Sequence, residues 1–288
     1  MRHTVILSNE ARLDMKKAAG YTFIQFLLLI FVAAVFLSPA TAAAQAPEIK
    51  QPTVFITGAN RGIGFALARQ YAERGWGVIA TCRSPDKASD LQSLREEHPQ
   101  VVIEPLDVTD FAGIDALAEH YRGVPIDILI NNAGILGDND KQKFGTFDYS
   151  AFDQVMAVNT RGPIKIVEAF IDNVTASDQQ KIMNISSYVG SIERTFGGQN
   201  FYRASKAALN MSMATIAREL KYSKIKARKT ITVGLIDPGV VDTGFAGELP
   251  IPMIPADESA AGVIAVIDAY TPKETGTFIR YDGKPIPW

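Results

Sequence analysis

The stretch TGANRGIG, Thr57 to Gly64, decides how this chain is expected to fold. It follows the apolar run TVFIT and leads directly into the amphipathic pattern FALARQYAERG. A glycine-rich turn between a strand and a helix lets the backbone approach a pyrophosphate, and the helix N-terminus adds amide donors and the positive end of its dipole. The glycines are spaced G-x-x-x-G-x-G rather than the common G-x-G-x-x-G, so a purely structural tight turn stays open as the alternative.

From residue 50 onward, short apolar runs alternate with amphipathic segments. The runs that favour strands are TVFIT, GVIATC, VVIEPL, IDILI, KIMNIS, TITVGLI and GTFIRY. Regular alternation of strand and helix predicts parallel strands joined by right-handed crossovers. The sequence therefore predicts one Rossmann-type doubly wound α/β domain over residues 50–288, with a central, mostly parallel, seven-stranded sheet.

The segment before this domain has the pattern of a secretory signal peptide or a signal anchor. Residues 21–37, YTFIQFLLLIFVAAVFL, form an apolar run, and small residues follow it. Read from Met15, the segment has a positive n-region, an apolar h-region and a cleavage point after Ala44. An uncleaved anchor is the alternative, because the run is close to the lower limit of about 17 residues for crossing a bilayer. We expect residues 1–46 to export or anchor the domain on the periplasmic, lumenal or extracellular side; without a functional leader the protein would be cytoplasmic.

The composition excludes several classes of function. The net charge is -2 and the pI is about 6.0, which is not the basic excess of a nucleic-acid-binding protein. Cys82 is the one cysteine of the chain, so an intrachain disulfide and a thiolate metal cluster are excluded. The three histidines have no metal-ligand spacing, and we predict no metal site.

An arginine stands at the position that selects the cofactor. In dinucleotide-binding folds an acidic residue about 20 residues after the glycine loop bonds the ribose 2′-hydroxyl, whereas an arginine nearby accommodates a 2′-phosphate. Here the second predicted strand ends ATCRSPD, which puts Arg83 at that position, and Arg61 lies in the glycine loop itself. The sequence therefore favours NADP(H) over NAD(H), because two guanidinium groups can bind a phosphate through several charge-assisted bonds. Alternatively, both arginines face solvent, or Asp86 pairs with Arg83.

The stretch YRASK, residues 202–206, places a phenol and an ammonium group on one face of a predicted helix. An ordinary tyrosine with a pKa of about 10 is a poor base at neutral pH. A nearby cation favours the phenolate, so we expect Lys206 to lower the pKa of Tyr202. Taken alone, this spacing also occurs by chance on many helix surfaces.

Over residues 53–288 the sequence resembles the classical short-chain dehydrogenase/reductase family. The matching pieces stand in the order of that family: TGANRGIG, DVTD (107–110), NNAG (131–134), VNTRG (158–162), NISSYVG (184–190), YRASK and DPGVVDT (237–243). The ending GTFIRYDGKPIPW and the segment GFAGELPIPMIPADESAAG resemble its C-factor-like and sniffer-like carbonyl-reductase branch.

This resemblance implies a catalytic set of four residues, Asn159, Ser187, Tyr202 and Lys206. Tyr202 would exchange a proton with the substrate oxygen and Ser187 would hydrogen-bond that oxygen. Lys206 would hold the nicotinamide ribose, and Asn159 would anchor a water molecule in a proton relay. Ser186 is adjacent, but strand alternation predicts that it points to the opposite face from Ser187.

The resemblance also implies a set of residues around the cofactor. In addition to Tyr202 and Lys206 they are Gly58, Asn60, Arg61, Gly62, Ile63, Gly64, Arg83, Asp107, Val108, Asn132, Ala133, Gly134, Pro238, Gly239, Val241 and Thr243. Either Asn131 or Asn132 could instead do no more than tie strands together, because a buried asparagine is often a structural bridge.

The implied activity is the reversible NADP(H)-dependent reduction of an aldehyde or ketone to an alcohol. Apolar residues after Thr243, among them Phe245 and Ile251, favour an apolar substrate. The alternative is a cofactor-binding signalling or scaffold protein of the same fold with little turnover. Against it stands the intact catalytic set, because a pure binder needs no acid/base tyrosine.

The resemblance leaves the oligomeric state open, because the family dimerises through its long helices whereas this branch includes monomers. Both a homodimer and a monomer therefore stay open. Contact with a membrane would come from the N-terminal segment.

Overall fold

The computed structural model describes residues 51–245 and 251–288. The predicted leader, residues 1–46, lies outside the described residues, and so do its cleavage and its anchoring. None of the helices described is both long and apolar enough to cross a membrane.

Strands and helices alternate along the described chain, as the apolar runs predict. The strands are β1 (Thr53–Thr57), β2 (Gly77–Cys82), β3 (Val101–Pro105), β4 (Ile128–Asn131), β5 (Lys181–Ile185), β6 (Thr232–Asp237), β7 (Val241–Asp242), β8 (Ile254–Pro255) and β9 (Phe278–Arg280). The α-helices are α1 (Gly62–Glu73), α2 (Ser89–Glu97), α3 (Phe111–His120), α4 (Tyr149–Met156), α5 (Gly162–Thr175), α6 (Asn200–Lys221) and α7 (Ala256–Ala269). A π-helical turn, Ala157–Arg161, joins α4 to α5.

The main sheet contains seven strands in the order β3-β2-β1-β4-β5-β6-β9. Every neighbouring pair in it is parallel. The predicted seven-stranded, doubly wound α/β sheet is therefore confirmed. The strand order reverses between β1 and β4, and in such sheets ligands bind in the crevice outside the carboxyl ends of the strands at that point. The short strands β7 and β8 pair separately.

Helices cover both faces of the sheet, and each face has its own apolar core. Alternate residues of β1 show the division: Val54 and Ile56 belong to one core and Phe55 to the other. Helices α1, α2 and α7 pack on the first face, and α3, α5 and α6 on the second. Because both faces are covered, all five residues of β1 are buried, and its three central residues, Val54, Phe55 and Ile56, form an uninterrupted apolar run rather than an alternating pattern.

Candidate functional site

A cavity of about 240 Å³ opens at the carboxyl edge of the sheet, beside the reversal between β1 and β4. It brings together many of the predicted residues: Arg61, Gly62, Ile63, Gly64, Asn132, Ala133, Gly134, Ser187, Tyr202, Lys206, Pro238, Gly239, Val241 and Thr243. The others, which are Gly58, Asn60, Arg83, Asp107, Val108 and Asn159, do not line this cavity. The site therefore has an enclosed part around Tyr202 and a part that lies outside the cavity.

The glycine loop closes tightly against the segment that follows β4. A Cβ on Gly64 would lie 2.2 Å from the Gly58 carbonyl oxygen, and one on Gly58 would lie 2.9 Å from Cα of Ala133. Gly58 also has a φ of 67°, a conformation that disfavours side chains. Only glycine fits at these two positions, so the sequence puts the backbone of the loop, at the start of α1, directly against the cavity.

The two adjacent asparagines after β4 have different tasks. The Asn131 Nδ2 donates to Oδ1 of Asn184 at 2.9 Å and so ties β4 to β5. The Asn132 Nδ2 donates to the carbonyl oxygens of Thr57 and Gly58, at 2.9 and 3.0 Å, and so holds the glycine loop. Asn131 is the structural bridge that the sequence left open, whereas Asn132 both lines the cavity and fixes its wall.

The two serines after β5 point to different partners, in agreement with strand alternation. The Ser186 hydroxyl donates to Oδ1 of Asn210 in α6 at 2.5 Å. The Ser187 hydroxyl instead accepts from the backbone amide of Val189 at 3.4 Å, and Ser187 lines the cavity together with Tyr202. Ser187 and Tyr202 therefore present two adjacent hydroxyl groups to the cavity, which is the arrangement needed to bind one oxygen atom from two sides.

Lys206 is buried one helical turn after Tyr202. Its ammonium donates to the Ile185 carbonyl oxygen at 2.9 Å, and its Nζ lies 5.9 Å from the centroid of the Tyr202 ring. A Cβ on Gly134 would lie 3.7 Å from this Nζ and 3.3 Å from Oδ1 of Asn159. Gly134, Asn159 and Lys206 thus meet at one side of the cavity.

The pKa of Tyr202 moves in the direction opposite to the one expected. Burial raises the pKa of Tyr202 to about 12, and the neighbouring Ser187 side chain offsets only part of this. Burial also lowers the pKa of Lys206 to about 8. The net pKa of Tyr202 therefore lies above its ordinary value rather than below it, because the loss of hydration on burial is the largest effect on the phenol. At neutral pH Tyr202 is a protonated phenol, suited to donate a proton.

Asn159 lies in the π-helical turn between α4 and α5 and is fully buried. Its Oδ1 accepts from the backbone amide of Ile135 and its Nδ2 donates to the carbonyl oxygen of the same residue, both at 2.8 Å. Nδ2 also donates to the Ser205 hydroxyl at 3.0 Å. Asn159 thus joins the segment after β4 to α6. Single π-turns inside helices are frequent at functional sites.

Four of the predicted residues outside the cavity, Asn60, Arg83, Asp107 and Val108, follow the carboxyl ends of β1, β2 and β3. Asn60 and Arg83 are exposed, and so is Arg61 at the edge of the cavity. Burial alone would raise the pKa of Asp107, but hydrogen bonds from Thr109 and the charge of Arg83 lower the pKa below its ordinary value. A Cβ on Gly162 would lie 2.7 Å from the carbonyl oxygen of Val108, so Val108 packs against the start of α5.

Two residues of the site carried no signal in the sequence. The Gln142 Oε1 accepts from the backbone amide of Tyr202 at 2.9 Å, and its Nε2 donates to the carbonyl oxygen of Leu136, a cavity residue, at 2.9 Å. Gln199, just before α6, also lines the cavity. Neither belongs to a motif, because each is brought to the site by a loop whose path depends on tertiary contacts.

The residues present fit a nicotinamide dinucleotide. Gly62 and Gly64 place bare backbone and the N-terminus of α1 on the cavity wall, which is the environment that a pyrophosphate requires. The Ser187, Tyr202 and Lys206 side chains stand further along the same cavity, where a reacting group would meet hydrogen-bond donors. The arrangement can therefore bind a dinucleotide and protonate an oxygen atom beside it.

Comparison with known proteins agrees with this reading of the site. A family model described as short chain dehydrogenase matches residues 52–251. The 1-hydroxy-2-glutathionyl-2-methyl-3-butene dehydrogenase of Rhodococcus sp. (strain AD45) is 31% identical over 242 residues, which are 82% of this chain and 99% of that protein.

Solved structures of carbonyl reductases share the fold. The NADPH-bound carbonyl reductase from chicken fatty liver superposes with a TM-score of 0.75 and 33% identity, covering 83% of this chain and 99% of that one. The carbonyl reductase Sniffer of D. melanogaster superposes with a TM-score of 0.74 and 26% identity, covering 83% of this chain and all (100%) of that one. The chain belongs to the short-chain dehydrogenase/reductase family, in which it resembles the carbonyl-reductase branch.

Proposed function

We propose that this protein reduces an aldehyde or ketone to the alcohol with NADPH, in a reaction that also runs in reverse. The observation that carries the proposal is that the half-buried Ser187 and the buried Tyr202 line one cavity, with a phenol that keeps its proton at neutral pH. A pair of neutral hydroxyl donors matches a carbonyl oxygen, which accepts hydrogen bonds and gains a proton on reduction.

When bound, the reduced nicotinamide supplies the hydride that the carbonyl carbon receives. The chain's own residues act on the oxygen. Ser187 donates a hydrogen bond to it and stabilises the negative charge that develops there. Tyr202 delivers its hydroxyl proton to the same oxygen, which leaves a phenolate behind.

Lys206 stabilises this phenolate. Its ammonium is held by the Ile185 carbonyl oxygen, one turn of α6 from Tyr202, and it needs no rearrangement as the charge on Tyr202 develops. Its pKa of about 8 means that it is charged at neutral pH. Asn159 fixes the neighbouring wall of the cavity through its two hydrogen bonds to Ile135, which keeps the spacing between Lys206 and the segment after β4 constant.

For the cofactor we propose NADP(H) rather than NAD(H). Gly62 and Gly64 would take the pyrophosphate at the N-terminus of α1, and Val241 and Thr243 would meet the nicotinamide amide. Arg61 and Arg83 are exposed and can reach a 2′-phosphate with charge-assisted bonds. The NADPH-bound carbonyl reductase from chicken fatty liver, a structural neighbour, supports this choice.

For the substrate we propose a small carbonyl compound with an apolar body. The cavity walls near Tyr202 include Leu136, Val189, Val240 and Phe245, and the ring of Phe245 lies 5.9 Å from that of Tyr202. Apolar walls with a few convergent hydroxyl donors are the usual build of a small-molecule site.

The experiment that tests this function is a screen of the purified protein against a panel of aldehydes and ketones, with NADPH and NADH in parallel. We expect oxidation of NADPH, followed at its absorbance band, with at least one apolar ketone or aldehyde. We expect slower turnover with NADH at equal concentration. A protein that binds NADPH tightly but oxidises it with no member of the panel would contradict the proposal and favour a cofactor-binding role instead.

A further inference from the structure

The turn that leads into α6 has an unusual backbone. Gln199 has a φ of 53° and a ψ of 40°, the left-handed conformation, directly after Gly198 at a φ of 89°. Among the described residues one other side-chain-bearing residue has a positive φ, and it is also a glutamine, Gln180 at 51°. A residue with a Cβ is disfavoured in this conformation, so a glutamine at either position calls for a reason.

For Gln180 the reason is structural. Its Nε2 donates to the carbonyl oxygen of Thr175 at 2.8 Å, and its Oε1 accepts from the Thr230 hydroxyl. These bonds join the end of α5 to the start of β6, at the edge of the sheet opposite the cavity. The side chain of Gln180 therefore compensates for its backbone by holding two elements together.

Within the described residues the Gln199 side chain forms no comparable link between elements. It stands at the position before α6 where a side chain could cap the helix, yet it forms no capping hydrogen bond. Instead it lines the cavity with Ser187 and Tyr202. A polar residue that lines the cavity, in a conformation that glycine would adopt more readily, points to a role toward what enters the cavity.

The side chain of Arg203 contacts the turn that precedes α6. Its Nε donates to the Gly198 carbonyl oxygen at 2.7 Å, and its guanidinium carbon lies 3.7 Å from the centroid of the Phe196 ring. Its backbone amide donates to the Gln199 carbonyl oxygen at 3.0 Å. The guanidinium thus contacts the turn 196–199 twice, through a hydrogen bond to Gly198 and by stacking on Phe196.

The burial of Arg203 indicates that its contacts with Gly198 and Phe196 do more than stabilise the fold. The residue is only 8% exposed, and its Nη1 and Nη2 are buried with no hydrogen-bond partner in the described chain. A buried guanidinium with unused donors stabilises a fold less well than an apolar side chain of similar size. The Arg203 side chain does fix the position of the chain just before Gln199, because it contacts Phe196 and Gly198.

We propose that Gln199 is a specificity-determining residue that hydrogen-bonds a polar group next to the reacting carbonyl, and that Arg203 is the positioning residue that holds it. This inference rests on the proposed carbonyl reduction. Because Gln199 lines the same cavity as Ser187 and Tyr202, the group that it would bond belongs to the molecule whose carbonyl reacts there. The substrate class is therefore carbonyl compounds with an adjacent oxygen, such as vicinal diketones and α-hydroxyketones.

The test compares butanedione with butanone, which differ by one oxygen on the same carbon chain. The measured quantity is the ratio of their kcat/KM values with NADPH, for wild type, Gln199→Met and the matched control Gln180→Met. Loss of one hydrogen bond in a buried site predicts a fall of the butanedione-to-butanone ratio by about tenfold in Gln199→Met. The ratio in Gln180→Met should equal that of the wild type. An unchanged ratio in Gln199→Met, or an equal change in both variants, overturns the proposal.

The positioning role of Arg203 is tested by a double-mutant cycle with Arg203→Met and Gln199→Met. If Arg203 acts through Gln199, Arg203→Met lowers the ratio and raises KM for butanedione, and the double variant shows the ratio of Gln199→Met alone. Arg203→Lys should not restore the ratio, because an ammonium lacks the planar face that stacks on Phe196. Additive losses in the double variant would show that Arg203 acts independently of Gln199.

The outcome also separates this inference from the proposed function. A wild-type protein that reduces ketones without a ratio change in Gln199→Met refutes only the role of Gln199. If the wild type reduces no carbonyl compound, the proposed function fails. In that case amide hydrogen exchange of residues 192–199 with NADPH and butanedione decides the contact: protection in wild type that is lost in Gln199→Met supports it, and equal exchange refutes it.

Discussion

The two ends of the cofactor cleft are built in different ways. At the proposed catalytic end Asn159, Tyr202 and Lys206 are buried, and the side chains of Asn159 and Lys206 donate to backbone carbonyl oxygens. At the adenosine end Arg61 and Arg83 are exposed on the loops after β1 and β2. The groups of the first end are already held in place by the fold, whereas the second end presents exposed charged groups to solvent.

This difference follows from what each end has to do. Stabilising the charge of a transition state requires dipoles that are already in place, since reorganising them during the reaction would raise the barrier. Recognising a phosphate requires only that guanidinium groups reach it, and an exposed position also attracts the anion over a distance. Changes at the catalytic end should therefore alter the rate, and changes at the adenosine end should alter cofactor affinity and choice.

The largest effect is expected for Tyr202→Phe. Removal of the hydroxyl takes away the proton donor and leaves the ring and its packing, so reduction should fall by about a thousandfold. NADPH binding, measured by nucleotide fluorescence, should stay within a factor of about two, because the glycine loop and the arginines are untouched. Activity close to wild type in this variant would mean that another group delivers the proton.

Ser187→Ala should have the next largest effect. Loss of one donor to the developing oxyanion predicts a fall in kcat of about a hundredfold. Ser186→Ala is the matched control, because its hydroxyl is bonded to Asn210 in the core and it should lower thermal stability rather than kcat. Kinetics and thermal melting of both variants check this. If Ser186→Ala lowered kcat and Ser187→Ala lowered only thermal stability, the roles of the two serines would be exchanged.

Arg83→Asp tests the adenosine end. A charge-assisted contact with a 2′-phosphate predicts that the Kd for NADPH rises by at least about tenfold, with little change for NADH. Asp86→Asn, three residues later, is a control that should leave the NADPH-to-NADH preference in place. Equal responses of the two cofactors to Arg83→Asp would show that this arginine does not read the phosphate.

The smallest effect is expected from a change of pH, which tests the protonation states at the catalytic end. Reduction needs Tyr202 protonated, which holds up to a pKa of about 12, and Lys206 charged, which holds only below a pKa of about 8. The kcat/KM for reduction should therefore be level at neutral pH and fall several-fold as the pH rises through the pKa of Lys206. Rates measured over about pH 6 to 10 check the sign, and a rising limb would show that the phenolate, not the phenol, is the active form.

Much of the fold could be predicted because its signals are local. The strand β1 is a run of five buried residues, and the loop after it must contain Gly58 and Gly64 whatever surrounds it. Periodicity and turn chemistry of this kind are written in consecutive residues. The positions of Ser187, Tyr202 and Lys206 around one cavity then follow from the carboxyl ends of neighbouring strands and the start of α6.

The contacts that shape the cavity could not be predicted in the same way. The Gln142 side chain meets the Tyr202 amide across 60 positions of the chain, and no motif marks either partner. The grip of Arg203 on the turn 196–199 likewise depends on the path of a loop. Such contacts arise when separate segments fold onto one another, so no window of the sequence contains them.

By itself, the sequence determined the doubly wound sheet, the glycine loop and the identity of the tyrosine and lysine, because short-range patterns and residue types carry that information. Only the tertiary structure decided the protonation of the pair. Spacing alone predicted that Lys206 would make Tyr202 more acidic, whereas burial raises the pKa of Tyr202 to about 12 and lowers that of Lys206 to about 8. Hydration is lost only when the whole domain closes around a side chain, and no spacing of residues along the chain records that loss.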